Sequence, residues 1–431
     1  MLTAAERRAK TAAVIRVSSG NFIEMYDFMV YGYYAKAIGD AFFPSKDPFA
    51  SLMLSLATFG VGYLMRPLGA IILGAYIDRH GRRKGLLLTL GLMAIGSATV
   101  AFTPGYASIG IAAPLIVVAG RLLQGLSAGV ELGGVSVYLA EIATPGHRGF
   151  YPSFQSGSQQ VAVMFAALIG VALALTVSAP DMSAWGWRVP LVIGCLVIPV
   201  VLWLRRSLEE TEVFKRRRTQ LKAAELLAIV AKNWTVVGIG MLMSVFTTTA
   251  FYLITAYTPT FGREALHLSA MEVMLVTLFV GASNFIWLPI GGALSDRFGR
   301  QVLLYCVPIV AILGVYPVMN WLVAAPTFGK LLTAELFVSL MFGLYNGAMV
   351  ARLTEMVEPR VRTAAFALAF SLATAIFGGF TPAIATYLIH ATGNKAAPAL
   401  WLMLGAAISL LGAFLGRNIN KGVPDSFEID A

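Results

Sequence analysis

The chain has 431 residues, 58% of them hydrophobic and only 13% charged, with a mean hydropathy of +0.76. That is too little polar material to cover a water-soluble globule of this size, which leaves lipid as the solvent. The net charge of +10 is spread over short segments between apolar runs and not gathered on one patch, which argues against nucleic acid as a partner.

The apolar runs are far longer than the roughly 10-residue alternation of a barrel strand and match the roughly 20 residues that a bilayer-crossing helix needs. In chain order they predict spans at 12–36, 49–77, 84–102, 109–142, 149–176 and 187–206. After a basic segment they continue at 233–261, 269–295, 301–323, 328–356, 362–390 and 396–417. The expectation is an all-α membrane protein of twelve helices: a six-helix half at 1–206, a linker at 207–232 and a second half at 233–431. Arg7, Arg8 and Lys10 precede the first span, Arg79, Arg82, Arg83 and Lys84 follow the second, and Arg205, Arg206 and Arg216 belong to the middle. By the positive-inside rule these are cytoplasmic, which puts both termini inside a bacterial inner membrane. The first apolar run carries acids and no small-residue cleavage site, so it reads as a membrane helix and not a signal peptide.

Ionisable groups inside such spans cost a few kcal/mol or more, so each is a functional candidate until it is paired. Asn21, Glu24 and Asp27 share a face of the first span, with Tyr26 beside them. Arg66 lies in the second and reads chiefly as an ion-pair partner for the first or fourth span. In the fourth, Arg121, Gln124, Ala128 and Glu131 share a face, so Arg121 needs either an acid of the first span or an anionic substrate. Arg352 in the tenth span is either a second cation for a polycarboxylate or a helix-surface partner of Glu355. Gln155, Ser158 and Gln159, Thr248, Tyr252 and Thr255, and Asn284 and Asn346 are neutral polar groups that serve a polar cavity or join helices. Cys195 and Cys306 lie in apolar runs and His80, His147, His267 and His390 fall at helix ends, so no metal, cofactor or catalytic set is expected.

The most informative feature is an internal repeat. GAYIDRHGRR at 74–83 recurs as GALSDRFGRQ at 292–301, and Gly125 and Gly129 pair with Gly343 and Gly347 at the same offset. Glu141, Pro145 and Arg148 share their spacing with Glu355, Pro359 and Arg362. Asp78 and Asp296 end helices whose dipoles oppose a carboxylate unless a cation meets it, so Arg82, Arg83 and Arg300 predict a salt-bridged cytoplasmic latch together with Glu141 and Glu355.

Two such halves resemble the major facilitator superfamily. SGNFIEMYDF (19–28), LMRPLGAIILGAYIDRHGRRKG (64–85), GRLLQGLSAGVELGGVSVYLAEIATPG (120–146), WGWR (185–188) and SNFIWLPIGGALSDRFGR (283–300) resemble its metabolite:proton symporter family, and within it the citrate and tricarballylate permeases. Where similar permeases carry a small residue, this chain has Arg352. The resemblance implies import of a small tricarboxylate together with protons by alternating access, and a functional monomer is the default expectation. In the superfamily's sugar–proton symporters, an acid on the first helix and an arginine on the fourth form the coupling pair. A trivalent anion entering a cell 100 mV negative inside meets about 7 kcal/mol, so protons must accompany it. Glu24, Asp27 and Glu131 are the acids expected to carry them. Betaine or proline carriers and dicarboxylate carriers of the same family, and drug–proton antiporters, are the alternatives.

Overall fold

The computed structural model describes residue 14 and residues 21–80, 82–143, 146–206, 232–357 and 362–419. Twelve helical spans follow one another, and no strand occurs among the described residues. In the first half, α1 covers 21–33 and, after a break at Tyr34, Ala35–Phe42. It is followed by α2 (Pro48–Leu64, then Arg66–His80), α3 (Arg82–Phe102), α4 (Ala112–Glu141), α5 (Phe150–Thr176) and α6 (Arg188–Arg206). The second half holds α7 (Trp234–Ile254), α8 (Ala270–Phe298), α9 (Arg300–Ala324), α10 (Phe328–Met356), α11 (Arg362–Ala373, continuing as Thr381–Thr392) and α12 (Pro398–Leu415). Among the described residues nine helices are long and apolar enough to cross a bilayer. A tenth is completed by α6 with the short helix before it, bent by 43°.

The polarity of the molecule is inverted relative to a soluble fold. Leu313 is 71%, Leu196 67% and Ile111 66% exposed, whereas Asp27, Arg66 and Arg121 are at most 2% exposed. An apolar rim around a polar interior is what a lipid solvent selects, and the chain is a multi-pass membrane protein.

Breaks in the helices fall where the backbone chemistry requires them. The span predicted to reach 261 leaves the α-helix at Ile254, where Tyr257 N–H bonds back to Tyr252 O at 3.0 Å and Pro259 has no N–H to continue the ladder. In α11 a wide turn at Thr374–Gly378 lets Gly378 and Gly379 pass beside Tyr252 and Tyr63. Ser269 caps α8 with a reciprocal bond to Glu272.

The repeated glycines explain why the halves look alike. A Cβ on Gly125 of α4 would land on the Gly62 carbonyl of α2, and one on Gly129 on the Arg66 carbonyl. At the matching places in the second half, Gly343 and Gly347 of α10 leave room for Trp287 and Gly292 of α8. Small residues in membrane helices permit this backbone approach. Gly125→Ala is therefore expected to destabilise the fold by about 1–3 kcal/mol or more, read as a melting point lowered by several degrees. Gly74→Ala, where an added Cβ meets nothing within 4 Å, leaves the melting point unchanged.

The two halves touch at both ends of the bundle. At one end, the face of the repeat loops, Gly149 at the start of α5 packs on Gly292 of α8. At the other, Gly32 of α1 faces Ala256 and Phe49 of α2 stacks on His390 of α11 with ring centroids 3.8 Å apart. The halves are thus in contact at both ends.

Candidate substrate and proton site

Residues three apart on α1 place Glu24 and Asp27 on successive turns, and each finds a different arginine system. Glu24 forms a buried ion pair with Arg66, which opens the second segment of α2 after the helix breaks at Met65. The Arg66 guanidinium also lies 4.6 Å from the Tyr63 ring centre and 5.2 Å from that of Phe28. Removing one partner of so buried a pair strands a charge, at about 3–5 kcal/mol.

Asp27 accepts a hydrogen bond from Ser97 of α3. Gln124 Nε2 donates to that same Ser97 Oγ at 3.2 Å, and Gln124 Oε1 accepts from Arg121 Nη1 at 2.7 Å. Ser97 also lies 2.9 Å from the Met93 carbonyl and has one proton to give, so it bonds either Asp27 or its own helix. The sequence leads one to expect Arg121 to meet either an acid of α1 or an anionic substrate. In the structure two neutral side chains stand between Arg121 and Asp27, because the Arg121 guanidinium is drawn against Phe28 (4.3 Å), Tyr31 (4.4 Å) and Phe59 (5.4 Å). Asp27 Oδ1 and Arg121 Nε and Nη2 have no hydrogen-bond partner among the described residues. A glycine at 194 in α6 makes the room, since a Cβ there would lie 2.6 Å from Asp27 Oδ1. The result is an acid and a cation joined by a switchable hydrogen-bond relay.

Next to this relay, between the halves, lies a small cavity of about 20 Å³, space for roughly one water. Arg66 supplies its cation, and Ser156, Gln159, Thr247, Thr248, Tyr252 and Asn346 its neutral polar wall. Thr247 Oγ1 and Asn346 Oδ1 have no partner among the described residues, and Asn346 Nδ2 donates to Ser156 Oγ at 3.0 Å across the halves. The Arg66 guanidinium and the unpartnered Thr247 hydroxyl can donate to a carboxylate, while Asn346 offers an acceptor beside them. At this volume the cavity is too small for a tricarboxylate.

Of the residues expected to contact substrate, Gln159, Tyr252 and Asn346 line this cavity, while Arg121 and Gln124 belong to the relay behind it. Asn21 and Gln155 are buried but do not line this cavity, and both amide atoms of Asn21 and the Gln155 Nε2 are unpartnered among the described residues. Three others are spent elsewhere. Tyr26 donates to the Pro190 carbonyl of α6 at 2.7 Å. Asn284 bridges Gln160 at 3.0 Å and Ser339 at 2.6 Å. Arg352 donates to the carbonyls of Gly416 (2.8 Å) and Ile419 (2.9 Å), where the end of α12 attracts a cation. It does not line the cavity, and its hydrogen bonds go to these carbonyls and not to Glu355. Arg66, by contrast, is absent from the substrate contacts expected from sequence. Its proline-flanked position at a helix break reads as architecture, and only the fold shows that the break aims the side chain inward.

At the face of the repeat loops, Asp296 accepts from the backbone N–H of Gly149 (2.8 Å) and of Phe150 (3.1 Å), so the end of α8 caps the start of α5 in the other half. Arg300 donates to Asp296 at 2.5 Å and to Glu355 at 2.9 Å. The carboxylate thus meets both a cation and the positive end of a helix. The side chains of Asp78, Arg82, Arg83, Glu131 and Glu141 lie outside the described residues. Asp296→Asn weakens several charge-assisted bonds that net about 1.5–3 kcal/mol each, so the population open on this face is expected to rise about tenfold or more. Distances between spin labels on the adjoining ends of α5 and α8 measure it.

The sequence profile of the Major Facilitator Superfamily matches residues 17–373. The chain belongs to that superfamily. A citrate-proton symporter of Salmonella typhi is 56% identical over 422 residues, covering 97% of each chain. A citrate-proton symporter of Klebsiella pneumoniae is 54% identical over 403 residues, covering 94% of this chain and 91% of the relative. The crystal structure of a D-xylose-proton symporter, 18% identical, covers 96% of this chain and 98% of its own with a TM-score of 0.75, which shows the shared fold. As a major facilitator, the chain has two six-helix halves, and its cavity sits between them.

Proposed function

We propose that the chain is a proton-coupled symporter that imports a small tricarboxylate, citrate or tricarballylate, across a bacterial inner membrane by alternating access. The observation that carries this reading is Arg66, a buried cation held by Glu24 at the wall of a polar cavity between the halves. In the empty carrier Glu24 satisfies Arg66. A proton on Glu24 removes that claim, and a substrate carboxylate takes its place, with Gln159, Tyr252 and Asn346 reaching the remaining oxygens as the cavity widens. Asp27 serves as a second proton site, whose charge is felt by Arg121 through Ser97 and Gln124. Glu131 is the remaining candidate. Three protons per trivalent anion make the cycle electroneutral, and a fourth lets the membrane potential drive it.

The repeat loops lie on the cytoplasmic side in this reading, as do both termini, and Asp296, Arg300 and Glu355 with Asp78, Arg82, Arg83 and Glu141 form the inner gate. The chain works as a monomer. The two citrate-proton symporters similar to it over nearly their whole length support this substrate class. Calorimetric titration of the purified protein with citrate, tricarballylate, succinate and betaine tests it. Competitive binding of the two tricarboxylates, with none of betaine, is expected. Betaine binding without tricarboxylate binding would overturn the substrate assignment.

A further inference from the structure

Glu335 lies two turns into α10 and is 7% exposed. Thr258, just past the end of α7, donates to its Oε1 at 2.8 Å, and its Oε2 is buried with no hydrogen bond among the described residues. No basic group pairs with it among the described residues. The charges on neighbouring elements are engaged or exposed: Arg263 and Glu264 are exposed, Glu272 bonds Ser269, and Lys330 donates to the Trp321 carbonyl. Lys36 and Asp40 pair with each other on the surface of α1. Of the hydroxyls nearby, Tyr33 is bonded to the Val163 carbonyl and Tyr257 to Thr386.

The position of this carboxyl decides what it does. Two residues before Thr258, Ala256 faces Gly32 of α1, so Glu335 is tucked behind the seam between the halves on the face opposite the repeat loops. His390, stacked on Phe49, is a second titratable group on the same face of that seam. An acid with one hydrogen bond and no cation tolerates this dry setting as the neutral form, in which one oxygen accepts from Thr258 and the other carries the proton. Parting the halves on this side lets water reach it and allows it to ionise.

We infer that Glu335 is a proton-binding site that fastens the seam opposite the repeat loops, so that closing the carrier on that face takes up one proton from the medium there. Ionised Glu335 and a proton from water become the neutral acid on closing, and the same proton returns on reopening. Glu335 therefore gates the cycle and adds nothing to the number of protons delivered with substrate. The inference rests on the alternating-access reading above, with this face taken as the outer one.

The test uses the full chain in proteoliposomes without substrate, so its outcome does not depend on what is carried. Cys195 and Cys306 are replaced by serine, and spin labels are placed at Ser45 and Thr392, both exposed on this face and in opposite halves. Uptake of one proton on closing makes the closed-to-open ratio rise with acidity by up to tenfold per pH unit. Glu335→Gln, a neutral mimic of the same shape, is expected to hold the seam closed and to lose that one-proton slope. Thr258→Val keeps the slope but lowers the closed fraction at each pH. An unchanged slope in Glu335→Gln, or a slope abolished by His390→Gln instead, overturns the inference.

Discussion

Arg66→Gln is expected to lower citrate affinity by about two to three orders of magnitude, measured by calorimetry on the purified protein. The estimate follows from the bond the structure shows: a buried guanidinium whose ion pair is worth about 3–5 kcal/mol when one side is removed, at 1.4 kcal/mol per tenfold. Loss of binding alone does not separate a substrate contact from a collapsed structure, because Arg66→Gln also strands Glu24. The double variant Glu24→Gln, Arg66→Gln separates them. It removes both charges, so its melting point recovers toward that of the parent while citrate binding stays lost. Glu24→Gln by itself frees Arg66 from its internal competitor, and citrate binding is expected to persist or tighten. Arg66→Lys retains the charge but not the planar fork, and falls between. If Arg66→Gln binds citrate as the parent does, the cavity is not the substrate site.

The second large effect belongs to Asp27. Asp27→Asn is expected to abolish accumulation of citrate driven by a proton gradient, by about 100-fold or more, while exchange of labelled for unlabelled citrate continues. Asparagine fills the same space beside Gly194 and keeps an oxygen for Ser97, so the fold is retained. What it lacks is a proton to take up and release. Ser97→Ala cuts the relay between Asp27 and Arg121 and is expected to weaken coupling less, because the acid remains. Equal loss of exchange and accumulation in Asp27→Asn would make Asp27 a structural group.

Which parts of this were legible in the sequence follows from the range of each signal. The glycines at 125 and 343 are legible as a repeat because their offset is regular, and the structure adds that both are pressed against a neighbouring backbone. Glu24 and Asp27 are legible as a shared face because helix periodicity sets it. Their partners are not, since the rotation and height of α2, α3 and α4 relative to α1 decide whether Arg66 or Arg121 comes within reach. Ser97 carries no signal at all: a lone hydroxyl in an apolar helix usually bonds its own backbone, as this one also does. Arg352 misleads for a related reason, because the carbonyls it serves at Gly416 and Ile419 are 64 and 67 positions away in the chain. Glu335 sits near the end of a predicted span, where an acid passes for a group at the membrane surface. Only the packing of Thr258 and α1 around it shows that it is buried.

The central claim is that protons and a tricarboxylate cross together. Purified protein is reconstituted in liposomes, an inward proton gradient is imposed, and uptake of labelled citrate is followed against tricarballylate, succinate and betaine. Uptake is expected to collapse with the gradient, to be inhibited by tricarballylate and to ignore betaine. Citrate uptake indifferent to the proton gradient, or gradient-driven uptake of betaine with none of citrate, would contradict it.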